Sequence, residues 1–313
     1  MSQSLFSLGF GVGSKNLKGD WLETFYPQPL LNPDPAIVQA VKQVLGYSGG
    51  NTIIPFNWDK ASELAHLLKH LAPQQSALLV RLAESHRPTV ATLLEHDDAP
   101  QTVPGAYLKL HLISHRLLKS QQTNLEGLFD LLPNVAWTNL GAVDLNEVAA
   151  LQLEERIKGR LLDVFSVDQL PKMTDYVVPL DVHIADSARV RLGAYLGSHT
   201  RVLHDGCIEA NMGVDEQSWV EGSVLNQQFL AMTGEHCSIG AHAHVSIILG
   251  DRNHVESGLH IEACTLVNLL DAEQNLIRTV KAESLANTHD LSFRRNTQTG
   301  AIECLALTAP NPL

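Results

Sequence analysis

From residue 184 to residue 220 an aliphatic side chain returns at every sixth position: Ile184, Val190, Leu196, Val202, Ile208, Val214 and Val220. A helix has no reason to repeat at six, and an alternating strand repeats at two. A sustained hexad is the period of a parallel β-helix, in which short strands joined by corners stack coil upon coil. One aliphatic per hexad then points inward and the column of them is the core. An ordinary β-sandwich would place its turn signals about eight to twelve residues apart instead. The rhythm breaks once. The eighth slot is Asn226; Ile239 and Val245 resume the spacing, and Leu249, Val255, Ile261 and Val267 continue it in a new phase.

The chain before the hexads follows helical periods. "DPAIVQAVKQVLG" supplies Asp34 as an N-cap, Pro35 for the first turn and Gly46 as a stop. "NWDKASELAHLLKHLAP" and "PGAYLKLHLISHRLLKS" repeat apolar residues at three and four, and "NEVAALQLEERIKGRL" reads as another amphipathic helix. Pro171 and Pro179 then interrupt any helix. The expected fold is an α/β N-terminal domain over 1–175, largely helical, and a parallel β-helix over 176–270. A small C-terminal β extension over 271–313 comes last, where "DAEQNLIRTVKAESL" and "LSFRRNTQTGAIECLAL" read as hairpins that cap the solenoid.

Composition narrows the partners. The formal net charge of −12 argues against nucleic acid or an anionic membrane surface, while leaving room for a local basic pocket. No apolar run is long enough to span a bilayer, and the opening "MSQSLFSLGFGVGSKN" lacks the basic n-region and apolar core of an export signal. Cys207, Cys237, Cys264 and Cys304 form no CxxC pair, which suits a reducing cytoplasm.

The passages "SQSLFSLGFGVG", "AYLKLHLISHRL", "LLPNVAWTNLGAVDL", "LLDVFSVDQLPKMTDYVVP", "IADSARVRLGAYLG", "LGDRNHVESGL" and "FRRNTQTGAIEC" cover nearly the whole chain. Together they resemble the long-form tetrahydrodipicolinate N-succinyltransferases. The resemblance implies a left-handed β-helix, a homotrimer and active sites in the clefts between neighbouring chains. It also implies transfer of an acyl group from succinyl-CoA or acetyl-CoA to the amine of a cyclic dicarboxylate, in diaminopimelate, lysine or tabtoxin-type biosynthesis. That chemistry needs a base for the attacking amine, donors for the oxyanion and cations for the substrate's carboxylates.

The same resemblance assigns roles. Glu221 in "WVEGS" matches the acidic active-site position, as general base or as transient acyl carrier. Periodicity alone does not single it out, because Glu209, Asp215, Glu256 and Glu262 also directly follow inward aliphatics. Arg191, Asn211, Ser223 and His242 are the expected substrate-binding residues; Arg191 reads equally as a surface ion-pair residue. Ala241, Glu256, Ser257, Lys281, Arg294, Arg295 and Asn296 are expected toward the acyl-CoA donor, the last four as a phosphate site or, without ligand, a solvated hairpin face. Asp205 matches a position used near magnesium on the trimer axis, and reads otherwise as a solvated corner residue.

The chain departs from the family after Glu221. The glycine-rich donor loop is missing and Ser223 stands for an arginine. His242, His244, Val245 and Cys264 are bulkier than the small residues they replace, which predicts a narrowed donor groove. Two readings are open: a divergent acyltransferase with an altered donor or acceptor, or a non-catalytic trimeric paralogue. His236, His242, His244, His254 and His260 lie within 25 residues, but the phase change is expected to disturb their stacking, and nothing completes a zinc tetrahedron.

Overall fold

A computed structural model describes residues 4–224 and 232–306. The chain divides into two compact units: residues 1–112 with 123–171, and residues 113–122 with 172–313.

The first unit is built on a five-stranded antiparallel sheet of β1 (Ser7–Lys15), β2 (Trp21–Phe25), β3 (Leu30–Leu31), β4 (Thr52–Phe56) and β5 (Thr89–Leu94). The strand path is β2-β1-β5-β4, with β3 added beside β1. Helix α1 (Pro35–Leu45) starts where Asp34 accepts from the Ala36 N–H and stops at Gly46, whose φ of 73° only glycine adopts cheaply. The stretch from Asn57 to Pro73, expected as a single helix, holds α2 (Trp58–Leu68) and the first residue of α3 (Pro73–Ala83). The chain leaves α2 after Lys69, and Pro73 opens α3. Phe10, Val41, Leu64, Leu68, Leu79 and Leu93 fill the space between helices and sheet.

Helix α4 (Val103–Ser114) is not amphipathic in place: Leu108, Lys109, Leu110 and His111 are all fully buried. Lys109 is tolerated because its ammonium donates to a carboxylate oxygen of Asp97 and to the carbonyls of Asp98 and Asn124. After the short α5 (Leu128–Leu131), strands β6 (Val135–Thr138), β7 (Gly141–Asp144) and β8 (Val164–Asp168) form a second antiparallel sheet. Between β7 and β8 runs α6 (Val148–Ile157), of which only Glu155 is buried while Leu153 and Ile157 are exposed. Its expected apolar face is therefore not a core face within this unit.

The second unit is a parallel β-helix of three faces. The first face stacks the strands 183–184, 201–202, 219–220, 238–239 and 254–255 in parallel register. The second stacks 207–208, 223–224, 244–245 and 260–261, and the third 195–196, 213–214 and 232–233. Val190, Leu196, Val202, Ile208, Val214, Val220, Ile239, Val255 and Ile261 have no exposed surface, so the hexad does mark the core.

The missed beat has a plain structural form. Asn226 lies outside the described residues. The strand that continues the second face is Ser223–Val224, paired with Cys207–Ile208 below and His244–Val245 above. The corner from Val220 to Val224 is thus two residues shorter than a hexad. A second short step, Val245 to Leu249, precedes Val255. Stacking survives the phase change because the solenoid conserves strand slots and lets the corners vary.

Two hairpins come after the coils, Leu266–Leu270 with Leu276–Lys281 and Leu291–Arg295 with Ile302–Ala306. They are not a detached cap. Ser292–Phe293 pairs in parallel with His254–Val255, so all four strands extend the first face into a nine-stranded sheet. Residues 113–122 run beside the third face. There Arg116 donates to both carboxylate oxygens of Asp181, at 3.1 and 2.7 Å, and Lys119 lies 2.8 Å from Asp215.

Candidate active-site groove

On the first face, side chains point out and in alternately, so Trp219 and Glu221 project outward on either side of the buried Val220. They border an open groove of about 510 Å³ that also takes in Gln217, His236, Ser238, Gly240, His254, Glu256 and Ser257. The Trp219 indole Nε1 donates to Oε1 of Glu221 at 3.1 Å. The guanidinium of Arg201, one coil below, lies 5.5 Å from the centre of the Trp219 ring.

Gly240 forms the floor between the two carboxylates. Strand register puts Glu221, Gly240 and Glu256 at the same position of successive coils. A Cβ on Gly240 would come within 2.6 Å of the Ser257 backbone N and 2.7 Å of its hydroxyl. Here only glycine lets the coils close, and the same absence of a side chain leaves space between the acids. Gly222 is equally tight, with Ala243 and Gly240 carbonyls 2.5 Å from its would-be Cβ.

Most residues assigned from sequence fall at the corner that joins the first face to the second. Glu221, Ser223, Ala241, His242, Glu256, Ser257 and Asp205 all lie on it in successive coils. Arg191 and Asn211 do not. They occupy the next corner, where the Arg191 Nε stands 4.0 Å from Glu209 and the Asn211 Oδ1 accepts from the Gln121 N–H at 2.8 Å. Arg294 and Asn296 both donate to Glu303, at 3.0 and 2.6 Å. The Arg295 N–H donates to Glu256 at 2.8 Å and Lys281 pairs with Glu283.

Several expectations change. Val245 does not narrow the groove, because it is buried in the core. His244 stacks on His260 on the second face, ring centres 5.7 Å apart, so the short corner preserved the stacking it was expected to disturb. His236 and His254 line the groove instead. Asp205, expected near magnesium on a trimer axis, lies at the corner that joins the first face to the second and is half-exposed. The His242 Nε2 stands 3.9 Å from its carboxylate, and no group of three His, Cys, Asp or Glu that could hold a metal occurs among the described residues of one chain. The sequence reading passed over Gln217, Ser238 and above all Trp219. Its signal was position, two residues before the acid on the same outward face.

Comparison with known proteins identifies the family. The family model for the middle region of tetrahydrodipicolinate N-succinyltransferase matches residues 132–172. A 2,3,4,5-tetrahydropyridine-2,6-dicarboxylate N-succinyltransferase of Pseudomonas paraeruginosa is 54% identical over 327 residues, covering 97% of this chain and 95% of the relative. The enzyme of that name from Vibrio cholerae is 42% identical and covers 96% of this chain and 95% of its own. The chain belongs to the tetrahydrodipicolinate N-succinyltransferase family. A crystal structure from Campylobacter jejuni, assigned as a 2,3,4,5-tetrahydropyridine-2-carboxylate N-succinyltransferase, shares the fold. Its TM-score is 0.81 at 19% identity, covering 97% of this chain and 93% of that one. The solenoid is accordingly the left-handed β-helix of that fold. The 327-residue alignment is longer than the 313-residue chain, so the Pseudomonas relative carries segments that are absent here. No helix among the described residues is long and apolar enough to cross a membrane.

Proposed function

We infer that this chain transfers the succinyl group of succinyl-CoA to the amine form of 2,3,4,5-tetrahydropyridine-2,6-dicarboxylate. The observation that carries the reading is the 54% identity, across 97% of the chain, to a transferase named for that substrate. The Pseudomonas and Vibrio relatives are both named as succinyltransferases, and neither speaks for a catalytically silent chain. A cytoplasmic setting, where acyl-CoA is made, suits the four free cysteines.

Glu221 is the proposed general base. The half-buried carboxylate accepts the proton as the amine nitrogen attacks the thioester carbonyl; the C–N bond forms, the C–S bond breaks and the proton passes to the departing thiolate. The Ser257 hydroxyl, packed against Gly240, is the proposed donor toward the oxygen that gains charge. Among the described residues the groove is lined by no lysine or arginine, which a dicarboxylate acceptor requires. A homotrimer resolves this. The neighbouring corner, with Arg191, of a second copy would face the groove and supply the cation, while Arg294, Arg295, Asn296 and Lys281 lie toward the donor's phosphates.

The test is thiol release from succinyl-CoA, with acetyl-CoA in parallel, with and without tetrahydrodipicolinate, for wild type and Glu221→Gln. Release that requires the acceptor, prefers the succinyl donor and falls at least about a hundredfold in Glu221→Gln is expected. Equal rates in wild type and Glu221→Gln would remove Glu221 from the chemistry. Acceptor-independent release, or none from either donor, would overturn the function. Sedimentation at three times the 34.2 kDa chain mass checks the trimer.

A further inference from the structure

We propose that Trp219 is the positioning residue for Glu221: its indole N–H fixes one carboxylate oxygen, so that the other faces the groove as the proton acceptor. The proposal rests on the reading of Glu221 as base.

Three features of the first face support it. Trp219 opens a two-residue strand and Glu221 directly follows it, still bonded through its N–H to the Ile239 carbonyl, so their side chains emerge on the same side, and the indole N–H meets Oε1 at 3.1 Å. A tryptophan offers one N–H and no acceptor, so this contact has a single polarity: the ring donates, the carboxylate receives. The ring is itself held. Arg201 sits 5.5 Å from its centre, and Arg201, outside the lining, leaves the ring's exposed part to the groove. A large aromatic left 41% exposed while its polar atom is spent on a carboxylate has no explanation in core packing. Its placement makes sense if the carboxylate's orientation matters. The indole also narrows the groove beside the acid, where the acyl chain would lie.

The experiment is a kinetic cycle of wild type, Trp219→Phe, Glu221→Gln and the double variant, with succinyl-CoA and tetrahydrodipicolinate, plus Trp219→His, which keeps a ring N–H. Trp219→Phe is expected to lower kcat roughly tenfold, the scale of one hydrogen bond to a charged group, with both KM values within about twofold. Trp219→His should recover part of the loss. In the Glu221→Gln background, Trp219→Phe should cost nothing more, because the glutamine amide still accepts the indole N–H but no proton-accepting carboxylate is left to orient. Unchanged kcat in Trp219→Phe, or a full further loss in the Glu221→Gln background, overturns the proposal while leaving Glu221 in place. Full activity of Glu221→Gln overturns the base itself. If Glu221→Gln has no measurable rate, the split decides: a rise in KM at constant kcat would make Trp219 a wall of the groove only.

Discussion

The imidazole Nε2 of His242 stands 3.9 Å from Oδ2 of Asp205, although one whole coil of the solenoid runs between their strands. Residues two coils apart are separated by about 10 Å at the backbone. They meet because the intervening corner is short: between Val220 and Val224 the chain has room for only Glu221, Gly222 and Ser223. The shortened corner thus opens a gap beside the proposed base, and His242 and Asp205 reach across it from above and below.

Both side chains are well exposed, His242 by 80% and Asp205 by 49%, and the separation is long. Asp205→Asn should therefore cost at most about 0.5 kcal/mol, a change of a degree or two in Tm by calorimetry. A larger loss would mean that the pair is drier than its exposure indicates.

Gly240→Ala is predicted to be far more damaging. The added methyl meets backbone as well as the Ser257 hydroxyl, so two coils must part at the groove floor. We expect destabilisation of about 1–3 kcal/mol in urea and a fall in turnover beyond what stability explains. Gly258→Ala probes a different cause. Its would-be Cβ meets nothing, and any cost comes only from its φ of 74°.

Arg116 contributes to the acid response of the second unit. Its hydrogen bonds to Asp181 pull that carboxyl down to about 2. An unfolded aspartate titrates at about 3.9, so the stabilisation is complete above that value and is lost as pH falls through 2. Wild type and Arg116→Ala should differ by a constant amount from pH 5 upward. The difference should shrink between about pH 4 and pH 2, in urea melts followed by circular dichroism. A gap independent of pH down to 2 would assign the arginine's effect to its bonds with Leu196 and Ser198.

The cysteines should sort by burial. Desolvation raises Cys237 to about 11 and Cys304 to about 12. Cys207 reaches about 11 through burial and the adjacent Glu209 carboxylate. Thiolates are the reactive form, so at neutral pH a disulfide reagent should label the exposed Cys264 rapidly and the others only after unfolding. Peptide mass spectrometry of briefly treated native protein checks the order.

Much of this was legible in the residues. The hexads reported the inward column from Val190 to Val220 because each inward slot depends only on the slots above and below it. Asp34, Pro35 and Gly46 marked α1 because capping is local chemistry. The strands of the first unit were not legible: β1 is rich in glycine and β5 is buried along its whole length, so neither shows an alternating face. α4 was misread for a similar reason, its lysine and histidine being buried with specific partners. At the groove, sequence distance hid the assembly. Glu221, Gly240 and Glu256 come together only through strand register, and two shortened corners and the nine-residue step from Val224 to Thr233 had to be known before that register could be counted.

The merging of the C-terminal hairpins into the first face bears on how the protein comes apart. A plug resting on the end of a stack could lift away and leave the stack intact. Here Phe293 and Val255 belong to neighbouring strands of one continuous sheet. Fraying from this end must peel backbone bonds strand by strand before it reaches His254 and Glu256, so the hairpins act as a brake on unravelling toward the groove.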